Sequence, residues 1–202
     1  IEMDLIQSKT GWFNICETMI EKNRIPFYPR GFPWGKRFIP TKIETKKKQK
    51  KRVLVNGGLV LGDPDIDAVS RLFWPIDVIA FDSNFDPHFG LFPGTWSPFN
   101  DQNTTISKEL ILLYYKPIAA GRNADIWTSY LIAKLAETLG DVITFGQPLV
   151  HQVRNAHDLR KDYRLEEVHN RATDRFVSLL KDIQLTSNSY FSALEELLNH
   201  AL

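Results

Sequence analysis

Apolar and polar positions alternate along this chain with a period that changes several times, and each change marks an element. Trp12, Ile15, Cys16, Met19 and Ile20 fall at helical spacing, with Glu17 and Glu21 on another face. With Ser8 or Thr10 as cap, they predict a helix over 8–24 that ends before Pro26. Residues 25–40 hold four prolines, two glycines and five aromatics, which exclude a regular helix. Val53–Val55 reads as a strand, broken at Asn56-Gly57-Gly58 and resumed at Leu59–Leu61. Ile66, Val69, Leu72 and Phe73 form the inner side of a short helix over 65–73, stopped by Pro75. A strand over Ile76–Phe81, a loop over 82–100 and a core strand over Leu110–Tyr115 follow. Ile126, Trp127, Tyr130, Leu131, Leu135 and Leu139 make the apolar stripe of a helix within 119–140. Lys134 stands at the edge of that stripe, with a stem long enough to reach solvent. Gly140 ends the helix, and Val142–Phe145 is a short strand. Val168, Ala172, Phe176 and Leu179, then Tyr190, Leu194, Leu197 and Leu198, predict two terminal helices. Strands interleaved with helices put the chain in the α/β class.

Composition narrows this only a little. The 202 residues are 43% hydrophobic, which suits one domain with an added tail. There are 25 basic and 24 acidic residues, so global charge carries no nucleic-acid signal, and nucleic acid is not an expected partner. The run 41–52 concentrates seven cations against one acid and predicts a mobile, solvated excursion. The single cysteine, Cys16, excludes an intrachain disulfide framework and a cysteine-based zinc site. No run of 18 apolar residues is present to span a membrane. The chain begins at Ile1, and its first ten residues lack the pattern of a signal peptide, which suggests a piece of something longer.

Candidate chemistry gathers at a few places. Gly62-Asp63-Pro64-Asp65-Ile66-Asp67 crowds three carboxylates into a tight turn after a buried strand. Ligands of α/β proteins sit at such carboxyl ends, although Asp65 or Asp67 equally suits a helix cap. Asp125 lies at a helix start, where it either caps or orients a hydroxyl. Arg30, Lys36 and Arg37 ride on the stiff aromatic loop, as one wall of an anion site or as a packed surface. Asn100 to Thr104 is dense in amides and hydroxyls, suited to a hydroxyl-rich ligand or to a network closing the loop. His151 follows an apolar run and closes a strand end, while Arg154 adds charge that offsets phosphate.

Several of these blocks, in order over residues 28–163, resemble the reversibly glycosylated polypeptide family, which includes the plant UDP-arabinopyranose mutases. They are Tyr28-Pro29-Arg30-Gly31-Phe32-Pro33, Asn56-Gly57-Gly58-Leu59-Val60 with Gly62-Asp63-Pro64-Asp65-Ile66-Asp67-Ala68, Pro98-Phe99-Asn100 with Asn103, Asp125-Ile126-Trp127, and His151 with Asn155. The second to fourth blocks are also similar to STELLO-type glycosyltransferase-like proteins. The resemblance implies a GT-A-like mixed sheet flanked by helices, incomplete at its N-terminus. Residues 1–163 would form that domain, with the basic excursion at 41–52, and 164–202 a helical extension. It implies a glycosyltransferase-like protein acting on a nucleotide-activated sugar and a hydroxyl acceptor, with Mn2+ or Mg2+. A nucleotide-sugar mutase and a non-catalytic binding module are the alternatives.

On this resemblance Asp65, Asp67 and Asp125 are the candidate catalytic or sugar-contacting acids. Arg30, Arg37, Asn100, Asn103 and Arg154 would hold the nucleotide sugar. Asp63, the first acid of an Asp-Pro-Asp triplet, and His151 would be the metal contacts. No such acidic triplet stands upstream of residue 28, so either the first half of the fold is missing or the donor site is lost, and a protein partner or the missing N-terminal half is an expected partner. The two resemblances leave the location open between cytoplasm and Golgi.

Overall fold

In the computed structural model, which describes residues 1–201, eight segments extend into strands. They are β1 (Glu2–Ser8), β2 (Met19–Glu21), β3 (Ile43–Lys50), β4 (Val53–Gly62), β5 (Val78–Phe81), β6 (His88–Leu91), β7 (Thr104–Ile106) and β8 (Val142–Gln152). Four α-helices flank the sheet: α1 (Ala68–Phe73), α2 (Ala124–Leu139), α3 (Leu159–Asp182) and α4 (Tyr190–Ala201). The strand order is β2-β5-β4-β8-β6-β1-β3, with β7 added to β4. The sheet is mixed: β4 is parallel to β8 and β1 to β6, and the other pairs are antiparallel.

The long parallel pairing of β4 and β8 fixes the centre of the molecule, from Val53 opposite Val142 to Gly62 opposite Gln152. Both strands therefore end at the same side of the sheet. The other edge of β4 is shared. Val55–Gly57 pairs with β7, and Gly62 pairs with Val78 of β5. Between them the strap Asn100–Thr104 closes on β4: Gly58 N–H donates to Asn103 O at 2.7 Å, and Asn103 Nδ2 donates to Leu59 O at 3.3 Å. A Cβ at Gly58 would meet Asn103 O at 2.2 Å, so only glycine lets the strap lie this close.

Several expectations give way to tertiary structure. Residues 8–24 are not a helix: β1 ends at Ser8, a 3-10 turn spans Ile15–Thr18, and β2 follows. Pairing with β5 claims Met19–Glu21, and Phe13 with Trp12 is needed in the core. Gly57 and Gly58 do not interrupt β4. The basic run is largely exposed, as expected, but it is ordered as β3 against β1. The segment 82–100 contains β6, inserted between β1 and β8. Leu110–Tyr115 is not a core strand. Leu110 and Leu113 are buried while Leu112 is 94% exposed, the pattern of a turn. Leu72 and Phe73 face solvent rather than the interior, and Lys134 is buried.

The helix α2 obeys its stripe, and Gly140 ends it in the left-handed conformation at φ 72°. By contrast α3 begins at Leu159, ahead of the expected boundary at 163, and turns a different face inward. Its buried residues are Asp162, Glu166, Asn170, Thr173, Val177 and Leu180, leaving Val168 and Leu179 exposed. Leu180 and Val177, with Tyr190, Ala193 and Leu197 of α4, join the same apolar core as the sheet.

That core is rich in rings. Trp12 meets Trp96 and Tyr130 edge-on at 6.1 and 6.0 Å, and Phe89 stacks on Phe145 at 6.0 Å. The Lys181 ammonium sits 4.4 Å from the Trp96 ring and 4.9 Å from the Trp12 ring, and donates to the carbonyls of Gly11 and Gly94. Burial lowers its pKa to about 8 from 10.5; Glu137 opposes, and Lys134 and Lys36 add to the lowering. Between those two values the unfolded chain binds more protons than the folded one, so folding stability rises with pH from about 8 to 10.5. Urea unfolding at several pH values should display that rise in the parent and not in Lys181→Met. A flat parent curve would overturn it.

Candidate functional site

The acidic turn follows β4 directly, and the segment 153–158 follows β8, so the two are side by side at the carboxyl ends of parallel strands. The aromatic loop 25–40 brings Arg30 to the same place. Arg30 N–H donates to Asp65 O at 2.8 Å, and Arg30 Nε donates to Asp65 Oδ2 at 2.9 Å. Its Nη2 donates to Asp125 Oδ2 at 2.6 Å, and its Nη1 to the carbonyl of Arg122. A single buried guanidinium thus ties the acidic turn to the start of α2. Burial works against the Arg30 charge, but Asp65 and Asp125 outweigh it and raise its pKa.

Asp65 is bound from both sides, since Arg154 Nη2 donates to its Oδ1 at 2.7 Å. Asp63 pairs with Arg71 and lies 3.9 Å from Arg154 Nε. Asp67 is fully buried as the N-cap of α1, accepting from Ser70 N at 2.8 Å, and pairs with Arg37 at 2.5 Å. Arg122 pairs with Asp162 at 3.0 Å and with Glu166 at 3.4 Å, both on α3. Burial pushes the Glu166 carboxyl above its ordinary value; the Ala68 N–H, Arg30 and Arg122 pull the other way. Asp162 and Glu166 of the polar inner face of α3 thus join this web of ion pairs, while Asn170 and Thr173 accept from Asn123 and Trp127.

Two chambers meet at Arg30 and Asp65. The first is mainly apolar, floored by Gly57–Val60 with Phe99, Asn100 and Ile126 around it. It opens where β7 and β5 part along β4. The second, about 420 Å3, is polar and lined by Arg30, Arg122 and Arg154 with Asp65, Gln152 and His157. Three guanidinium groups face it against one carboxylate. The Nε atoms of Arg122 and Arg154 are buried, with a carboxylate near each, Glu166 at 3.4 Å and Asp63 at 3.9 Å.

The expected site residues divide accordingly. Arg30, Asp65 and Arg154 converge, with Asp63 beside them. Asn100 lines the apolar chamber, where its Oδ1 accepts from Gln102 N at 2.9 Å. Asp125 reaches Arg30 from behind and lines neither chamber. Asp67 and Arg37 are closed against each other, Arg37 also lying over the Tyr28 and Trp34 rings. Asn103 is committed to holding the strap on β4. His151 is exposed on β8 and lines a third cleft with Asp63.

These donors do not fit a divalent cation as arranged. Asp63, Asp65, Asp67 and Asp125 each already face an arginine, and a metal would compete with guanidinium for the same oxygens. Among the described residues, no group of three or more His, Cys, Asp or Glu side chains is disposed to hold a metal ion.

The residues that sequence reasoning missed are Arg71, Arg122, Gln152 and Glu166. Arg122 carried one signal, a cation directly after a glycine and before a helix cap, and Gly121 does take φ 49° there. Arg71 and Glu166 sit on helices whose polar residues look solvated in sequence. Among the described residues, no helix is long and apolar enough to cross a membrane. The chain matches no known family model and no curated protein, so what these arginines hold is read from their geometry.

Proposed function

We propose that this chain binds a nucleotide-activated sugar through its diphosphate and acts as a glycosyltransferase-like protein with a GT-A-like sheet. One observation carries the reading. Arg30, Arg122 and Arg154 face a single chamber beyond the carboxyl ends of β4 and β8. Planar guanidinium forks match phosphate oxygens, and their charge is fixed at any working pH. They would orient the diphosphate and take up the charge that develops on it as the glycosidic bond breaks. Asp65 holds Arg30 and Arg154 in place through both of its oxygens. The neighbouring apolar chamber, with Asn100 at its edge, would take the sugar or acceptor.

A second reading is binding without turnover. It is favoured by the pairing of Asp63, Asp65, Asp67 and Asp125 with arginines, which leaves none of these four carboxylates disengaged as a general base. In the transferase reading Asp125, which lines neither chamber, positions Arg30 through Oδ2.

A thermal-shift panel of nucleotide sugars, each with and without manganese, tests the proposal. At least one donor should raise the midpoint, and Arg154→Met should weaken its binding by roughly tenfold or more, the scale of a lost charged hydrogen bond. A shift that needs manganese would mean that the cation enters with the diphosphate. No shift with any donor would sink the proposal. Product formed from the bound donor would separate transfer from binding alone.

A further inference from the structure

The third cleft adjoins the arginine chamber and has a different character. It measures about 520 Å3 and shares Gln152, Arg154 and His157 with that chamber, so the two are continuous past Arg154. Its far wall carries Trp74, which caps α1 and stays 51% exposed. Pro75 follows the ring, and extended backbone at Trp74 turns the chain out of the helix. Arg71 and Arg154 flank the cleft, Arg71 paired with Asp63 and Arg154 with Asp65. The lining also holds Asp63, Asp77 and Asp162, and the half-exposed Trp74 indole is the largest ring on it.

We propose that this cleft is a nucleobase subsite, with Trp74 as the stacking platform. The inference rests on the nucleotide-sugar reading and adds the direction in which the ligand lies. The base stacks on Trp74, the phosphates pass Arg154 into the arginine chamber, and the sugar points toward Arg30 and Asp65. An indole face accepts any planar heterocycle, and the flanking guanidinium groups supply donors to ring carbonyls and to the phosphate nearest the nucleoside. The ligand class is a nucleoside diphosphate or its sugar ester.

Calorimetric titration of the full chain with UDP, ADP, GDP and inorganic pyrophosphate tests it. The parent should bind at least one nucleoside diphosphate roughly tenfold or more tighter than pyrophosphate. Trp74→Ala should remove that difference while leaving pyrophosphate affinity within about twofold. Trp74→Phe, which keeps a ring, should retain most of the difference and guards against misfolding. Equal loss for pyrophosphate and nucleotide in Trp74→Ala, or no loss for either, overturns the subsite. So does a parent that binds pyrophosphate as tightly as every nucleotide, although the arginine chamber then stands. If the parent binds neither, the nucleotide-sugar reading itself falls, and the subsite with it.

Discussion

Replacing Arg30 by methionine is expected to cost about 3–5 kcal/mol of folding free energy, the scale for removing one partner of a buried ion pair. Arg30 is 8% exposed and joins three stretches of chain: the aromatic loop, the acidic turn and the start of α2. Without it, Asp125 loses its hydrogen bond and Asp65 keeps only Arg154. The cost arises less from lost attraction than from two carboxylates left away from water. Arg30→Met combined with Asp125→Asn should therefore recover part of the loss, a coupling that a double-mutant cycle measures directly. Urea unfolding giving less than about 1 kcal/mol for the single variant would mean that the ion pairs are not held in solution. A small domain has only about 5–15 kcal/mol in total, so the expected loss would be plain.

The second large effect lies in the core. Phe89→Ala should destabilise by about 3–5 kcal/mol, through lost burial and the cavity left behind. Phe89 is 1% exposed and meets Phe13 edge-on at 6.3 Å while stacking on Phe145. It stands on β6, whose two neighbours β1 and β8 would face the void together. Phe89→Leu fills most of that space and should cost clearly less. Equal losses for the two variants would argue against a cavity as the cause.

Phe89 also marks where sequence reasoning stops. Its segment, 82–100, holds three prolines and two glycines close to acids and amides, and nothing local distinguishes a four-residue strand from a loop there. Only the two neighbours in the sheet make it a strand. The same holds for 8–24, where helical spacing is real but the pairing of β2 with β5 overrides it. Elements whose signals are local were legible: α2 with its stripe and Gly140, the helix after Asp67, and the strand before the acidic turn. At the site, Arg30, Asp65 and Arg154 were legible because a stiff loop, a crowded turn and a strand end announce themselves. Arg122 and the acids of α3 were not. Buried polar residues carry the same letters as solvated ones, and their partners lie some 40 residues away in sequence, as with Arg122 and Asp162.

The edge strand β3 has a consequence for how copies of this chain coexist. A sheet edge presents unpaired backbone groups to any passing strand. Here that edge carries Lys46, Lys47, Lys48 and Lys50, in a chain whose formal net charge is only +1. So weak a net charge gives little mutual repulsion between whole molecules. Repulsion is instead concentrated at the border where a second copy would otherwise add its own strand. The lysine run thus acts as a local guard against polymerisation, and its strength should fade as salt screens it.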